Sequence, residues 1–376
     1  MSQKQAEWKR AVAILFPLCL VWVWLFVHLG YPRFLSGQND FLAFYIGAKL
    51  LPQGKLYDAE ANYALQAEIA SIYIPQVLYT RPPFYAVFML PLSLLPYRVA
   101  FWTFEALSFL ALYVFVYFFQ RRMKYLPWWC GISISVVVLL LNGQDDAFLL
   151  MLFAIALELL RRDRDFAAGL VLSLCSYKFH LFLLVPVVLL WHRRWRIAAG
   201  GAAGGAALAV LSFLVAGVHW PRQQLALVTG PDVNPATTMM GNLRAVVLRA
   251  PSAGPWLEVA AYVAVLALFL WIVSRERDLE AALGWALVGG LLVGMHSWIH
   301  DFVLLLAAVP LITAAWPVWP RRLVQTVLLL PVLPYGLLFP EYSYLLPVAL
   351  VVVMASAAVS YVAVRKSPRA VEQPVL

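Results

Sequence analysis

The chain has 376 residues, of which 63% are hydrophobic and only 12% charged, and its mean hydropathy is +0.80. A water-facing domain carries about 25% charged residues, so an ordinary soluble enzyme is excluded and a polytopic membrane protein is indicated. The net charge of +9 does not point to nucleic acid, because the basic residues fall in short clusters between apolar runs: Lys9-Arg10, Arg121-Arg122, Arg161-Arg162, Arg193-Arg194, Arg321-Arg322 and Arg365-Lys366. That is the pattern of cytoplasmic loops under the positive-inside rule.

With a basic N-terminus inside, Ala11–Leu29 reads as a retained first crossing, too long for a signal core and without a small-residue cleavage site. It delivers a long first non-cytoplasmic loop, residues 30–83. In that loop Leu42–Leu51 and Ala59–Ile74 have helical periodicity with Tyr and Phe on one side, as expected of helices lying along the membrane surface. Pro83–Gln120 is too long for one straight span and is interrupted by Pro91 and Pro96, which leaves a kinked crossing or a re-entrant turn followed by a crossing.

Two tight hairpins follow. Leu126–Leu141 and Ala147–Leu160 flank the turn Asn142-Gly143-Gln144-Asp145-Asp146; Phe166–Tyr177 and Leu181–Trp191 flank Lys178-Phe179-His180. The arms of the second are short, which is tolerated where a broken helix lines a cavity. Ile197–Gly217 crosses to a second non-cytoplasmic loop, residues 218–256. Two further hairpins place His296–Asp301 and Glu341–Tyr344 in far-side turns, and Arg275–Asp278 and Arg321-Arg322 in cytoplasmic turns. The prediction is an all-α polytopic protein, a single transmembrane domain over residues 1–376 with about 12 crossings of roughly 20 residues. Cys19, Cys130 and Cys175 all lie in apolar runs, without metal-like spacing, and read as core residues.

This topology gathers Asp40, Arg81, Asn142, Gln144, Asp145, Asp146, Lys178, His180, Asn242, His296, His300, Asp301 and Glu341 on the non-cytoplasmic side. Ionisable groups in or near hydrocarbon cost about 2.5–3.5 kcal/mol each on insertion scales, and such groups mark a site or pathway. Ordinary loop polarity explains Asp145-Asp146 well and Lys178 badly. Asp40 opens a helix, where it is either an N-cap or a general base for a hydroxyl. Lys178 either snorkels or joins Arg81 and His180 around a phosphate. Gln144 either bonds a sugar or caps its hairpin. The His296/His300 spacing suits one helix face, but only Asp301 stands near as a third ligand, so no metal is expected.

The order of these pieces resembles glycosyltransferase family 87. Asp40-Phe41 followed by Gly54-Lys55-Leu56-Tyr57-Asp58 is similar to its first-loop pattern, and Tyr79-Thr80-Arg81-Pro82-Pro83 to its Tyr-x-x-Pro-Pro entry to the next span. Asn142-Gly143-Gln144 resembles its Gly-Gln turn, Ala168-Gly169 followed by Lys178 its Ala-Gly…Lys hairpin, and Trp298-Ile299-His300 its Trp-x-His. Phe179 stands where the family commonly has proline. The resemblance implies a GT-C-like fold and inverting transfer of a hexose, mannose by analogy, from a polyprenyl-phosphate donor to a glycan or glycolipid acceptor. It implies Asp40 as base and Arg81, Lys178 and His300 on the donor, with Gln144, Trp298 and His180 beside them. It also implies a bacterial plasma-membrane protein acting on the non-cytoplasmic face, with no cofactor and no nucleic-acid partner. A flippase or transporter of lipid-linked sugars is the alternative, and a structural subunit of an envelope-assembly complex a third.

Overall fold

The computed structural model describes residues 24, 27–28, 39–70, 77–230, 233, 239–250 and 255–366, and among these every regular element is helical. Most of the expected first crossing, Ala11–Leu29, therefore lies outside the described residues, as do Cys19 and residues 71–74 of the expected second loop helix. The first two helices are α1 (Phe41–Leu50) and α2 (Ala59–Ala70). The expectation that α1 lies along the surface is corrected: Phe41, Leu42, Phe44, Tyr45, Ile46 and Leu50 are all buried. Its Phe41 ring packs on Phe101 and Phe104 at centroid distances of 5.7 and 4.9 Å, and Gly47 lies so close to the Tyr79 ring that a Cβ would come within 2.1 Å of it. An aromatic-rich helix that could have bathed in the interface is instead a core element.

Residues 83–120 resolve into α3 (Pro83–Ser93) and α4 (Tyr97–Phe119). Pro96 removes a backbone donor and biases Leu95 away from helical geometry, which accounts for the break. The α4 helix turns one stripe inward (Phe104, Ser108, Phe115, Phe119) and exposes Trp102, Phe109 and Tyr113, as a lipid-contacting span does. The arm expected as continuous over Leu126–Leu141 is also divided, into α5 (Leu126–Ile132) and α6 (Ile134–Asn142), because Ser133 is extended (φ −70°, ψ 118°) and caps α6 by accepting from Val136 N.

Helix α7 (Asp146–Arg161) follows α6 after a bend of 120°. Next come α8 (Asp165–Leu174), a 3₁₀ segment Cys175–Leu181, α9 (Val185–Trp191), α10 (Trp195–Ala216), and α11 (Trp220–Val228). The chain ends with α12 (Leu243–Val247), α13 (Pro255–Arg275), α14 (Leu279–Val293), a 3₁₀ turn Asp301–Leu304, α15 (Leu305–Ile312), α16 (Val318–Leu329), α17 (Val332–Gly336) and α18 (Leu345–Lys366). Arg321 and Arg322 sit inside α16 rather than in a turn. Among the described residues, α4, α10 and α13 are each long and apolar enough to cross a membrane, and the bent α6–α7 pair makes a fourth if counted as one broken span. Several other expected crossings correspond to shorter apolar helices.

The tightest helix pair is α8 against α10. A Cβ on Gly169 would stand 2.0 Å from the carbonyl oxygen of Ile197, and one on Gly200 2.0 Å from that of Phe166. Small residues permit this backbone approach where apolar burial gives helices no reason to prefer each other over lipid. The contact fixes α8, and with it the start of the 3₁₀ segment that carries Lys178. Gly169→Ala is expected to destabilise the protein by about 1–3 kcal/mol through overpacking against a backbone that cannot yield. The same change at Gly205, which has nothing within 4 Å, is expected to be neutral or slightly stabilising. Thermal unfolding of both variants in detergent measures the difference.

Candidate active site

A cavity of about 740 Å³ opens between the N-terminal end of α1, the α6–α7 turn, the Lys178 segment and the turn before the 3₁₀ helix at Asp301. One wall is polar: Asp40, Arg81, Gln144, Lys178, His180, His296, Trp298 and His300 all line it. The other is apolar, with Ile134, Val137, Val138 and Leu141 of α6 facing Phe44, Leu337 and Leu338. Those α6 positions fall at the spacing of one helix face.

Lys178 anchors the polar wall. It is 1% exposed and interrupts the 3₁₀ segment with φ −117° and ψ 54°. Its Nζ donates to Asp146 Oδ1 at 2.6 Å and Asp301 Oδ1 at 2.7 Å and lies 3.3 Å from Asp145 Oδ1. The snorkelling alternative is thereby excluded: the ammonium donates to two buried carboxylates and pairs with a third. Arg81 grips Asp145 with two bonds, Nε to Oδ2 at 2.9 Å and Nη2 to Oδ1 at 3.0 Å, and its guanidinium carbon stands 5.5 Å over the Phe44 ring. Arg81 Nη1 makes no hydrogen bond among the described residues. Asp145 and Asp146 are fully buried, so the reading of this pair as loop polarity is corrected. Asp146 also falls in the first turn of α7, where the helix dipole favours negative charge.

Backbone bonds hold the frame in register. Tyr57 Oη donates to Arg81 O at 2.8 Å, Gln224 Nε2 to Thr80 O at 2.8 Å, and Tyr177 Oη to Asp145 O at 2.9 Å. Asp301 Oδ2 accepts from Trp298 N at 2.7 Å, which folds the Trp298-Ile299-His300 stretch back over the lysine. Asn242 caps α12 and donates to Gly294 O at 2.9 Å; it supports this turn from outside the cavity. Glu341 is exposed and does not reach the cavity.

Asp40 occupies the N-cap position of α1 yet makes no side-chain capping bond, so the capping alternative fails. Its carboxylate Oδ2 instead accepts from Gln144 Nε2 at 2.6 Å, and its backbone N donates to Asn142 O at 2.9 Å. Burial raises the Asp40 carboxyl above its ordinary value; the Gln144 hydrogen bond and the charges of Lys178 and Arg81 pull the other way. Burial pushes the His296 and His300 imidazoles down to about 3, so both are neutral at physiological pH and each presents one N–H and one acceptor.

The structure thus brings Asp40, Arg81, Gln144, Lys178, His180, Trp298 and His300 together around one cavity. Sequence reasoning missed the partners of the cations. The available signal was the lysine itself: a buried ammonium requires counter-charge, and Asp145, Asp146 and Asp301 were among the carboxylates that the expected topology grouped with it. It also missed the third residue of a metal-like group, since Asp146, His300 and Asp301 offer ligand atoms within 4.8 Å of one another. The Lys178 ammonium already sits on the two carboxylates of that group.

The family model described as Glycosyltransferase family 87 matches residues 79–299, more than half of the chain. Arg81, Gln144, Lys178, His180 and Trp298 fall within the match; Asp40 precedes it and His300 immediately follows it. No curated protein and no solved structure matches.

Removing the lysine strands two buried carboxylates. Lys178→Met is expected to cost about 3–5 kcal/mol of stability, the usual penalty for breaking a buried ion pair from one side. Adding Asp146→Leu to that variant is expected to restore about 1–3 kcal/mol, since residues of one network do not add independently. Chemical unfolding of the two single variants and the double variant reads the coupling.

Proposed function

The chain belongs to glycosyltransferase family 87, and on that premise we propose that it moves a hexose, mannose by family analogy, from polyprenyl phosphate to a hydroxyl of a glycan or glycolipid, with inversion and with Asp40 as general base. The observation that carries the proposal is the state of Asp40: a cavity-lining carboxylate at a helix start that does not cap its helix. Its Oδ2 is held by Gln144, while Oδ1 accepts no hydrogen bond among the described residues and is available to an acceptor O–H. In the reaction that proton passes to Asp40 as the acceptor oxygen bonds the anomeric carbon. The bond from that carbon to the phosphate oxygen breaks, and polyprenyl phosphate leaves with the electron pair.

The cavity suits both halves of such a donor. The α6 stripe and its apolar partners offer a dry wall for an isoprenoid chain, and the polar wall offers N–H donors for a phosphate. Arg81 presents its unused Nη1 edge; neutral His300 and His180 add directional donors, and His180 Nε2 is buried without a partner among the described residues. Trp298 gives a flat face for a sugar ring, and Gln144 Oε1, also without a partner among the described residues, can accept from a sugar hydroxyl. Lys178 works from behind these groups. Arg81 and Lys178 face Asp145, Asp146 and Asp301, so the frame has no surplus positive charge, and phosphate recognition rests on aimed donors rather than on net attraction. No resident metal belongs to the proposal, because the ammonium occupies the carboxylates that would hold one.

In this proposal the cavity lies on the non-cytoplasmic side of a plasma membrane, within a GT-C-like arrangement of about 12 crossings, and the basic clusters between apolar runs support that sidedness. Asp40→Asn is expected to keep the fold, because the amide is isosteric and no cap bond is lost. It is expected to lower turnover by about 10²–10⁴-fold, the worth of a positioned general base. Purified protein assayed with synthetic polyprenyl-phosphate hexoses, with melting temperature measured alongside, tests this. Wild-type turnover in a folded Asp40→Asn protein would remove Asp40 as the base; a folded wild type that turns over no such donor would restore the transport reading.

A further inference from the structure

The turn Asn142-Gly143-Gln144 is built against Asp40 more closely than a hairpin requires. Gly143 adopts φ +61°, and a Cβ there would stand 2.7 Å from Phe41 Cβ, so only glycine allows the turn to lie on the start of α1. The backbone bond from Asp40 N to Asn142 O at 2.9 Å locks the two segments together. Gln144 then places Nε2 2.6 Å from Asp40 Oδ2.

We infer that Gln144 is a positioning residue for Asp40: it fixes the carboxylate through Oδ2 and so leaves Oδ1 aimed at the acceptor hydroxyl. This rests on the proposal that Asp40 is the base, and it assigns Gln144 a role exerted through Asp40, distinct from binding sugar. The logic is electrostatic. Desolvation works against the carboxylate, and the nearest charges are divided: Lys178 and Arg81 favour ionisation and Asp145 opposes it. Tyr97 of α4, whose hydroxyl donates to Asn39 Oδ1 at 3.0 Å, also faces Asp40. Both cations are committed to other carboxylates. Gln144 is the one group among the described residues that donates a side-chain hydrogen bond to Asp40.

Two measurements test the inference. Infrared titration of the Asp40 carboxyl band, assigned by its loss in Asp40→Asn, needs no substrate. In Gln144→Leu its midpoint is expected to rise by about one pH unit, the effect of losing a hydrogen bond to the charged form. Gln144→Glu, which keeps the side-chain size and secures a reading if the leucine variant does not fold, is expected to raise it as well, by placing a second acid beside the first. An unchanged midpoint in the folded variants overturns the inference. With a polyprenyl-phosphate hexose that the wild type turns over, the acidic limb of kcat/KM is expected to move upward with the titration. At neutral pH kcat is expected to fall about 10-fold and to recover toward alkaline pH, with KM changed by less than about twofold. A loss confined to KM with an unshifted pH profile also overturns it, leaving Gln144 a substrate contact. If Asp40→Asn is fully active, the base reading fails on its own, whatever the titration shows.

Discussion

A single ammonium group organises the polar half of this protein. Taking a lysine charge out of water costs several kcal/mol even after relaxation, and it is tolerated only where carboxylates meet it with good geometry. Lys178 meets three, contributed by the α6–α7 turn and by the turn after α14. Each partner then constrains something else. Asp145 holds Arg81, Asp146 begins α7, and Asp301 binds the backbone of Trp298. The loop carrying Arg81, the broken α8–α9 hairpin and the Trp298–His300 stretch are mutually positioned because they share one charge network.

The fold is arranged to deliver that lysine. The close α8–α10 approach at Gly169 and Gly200 sets the helix that leads into the 3₁₀ segment. A Cβ on Gly290 of α14 would stand 2.0 Å from the Leu181 carbonyl oxygen, so glycine also lets α14 press on the far end of the same segment. The segment is thus pinned at Leu181 and led in by a helix fixed six residues earlier, and its backbone leaves helical geometry at Lys178. On the opposite side of the cavity, Gly143 plays the equivalent part for Asp40. Three of the motifs in which the chain resembles its family are therefore packing solutions as much as chemical ones: Ala168-Gly169, the Gly143-Gln144 turn, and Trp298 with His300.

Much of this was legible in the sequence. The charge deficit gave the membrane class, and the basic clusters sorted the ionisable residues into a group that the structure largely gathers around one cavity. What stayed illegible was pairing. Asp145-Asp146 after a glycine looks like an exposed turn, and only the three-dimensional return of Lys178 and Asp301 makes those residues a buried frame. Helix continuity was similarly hidden. Ser133 is itself neither Gly nor Pro, yet the chain breaks there, and α1 has the aromatic pattern of an interfacial helix while α3 and α4 cover it. Periodicity identifies an apolar face and leaves open whether lipid or protein covers it.

With Asp40 proposed as a base on the acceptor, the donor phosphate departs in the same step and no covalent sugar intermediate forms. A single displacement of that kind inverts the anomeric centre; a carboxylate acting as nucleophile would give two displacements and net retention. The anomeric configuration of the product, determined by NMR with a donor of defined configuration, distinguishes the two. With Asp40 as base, the product is expected to have the opposite configuration to the donor. A product that retains the donor's configuration would rule out the single displacement and recast Asp40 as a nucleophile.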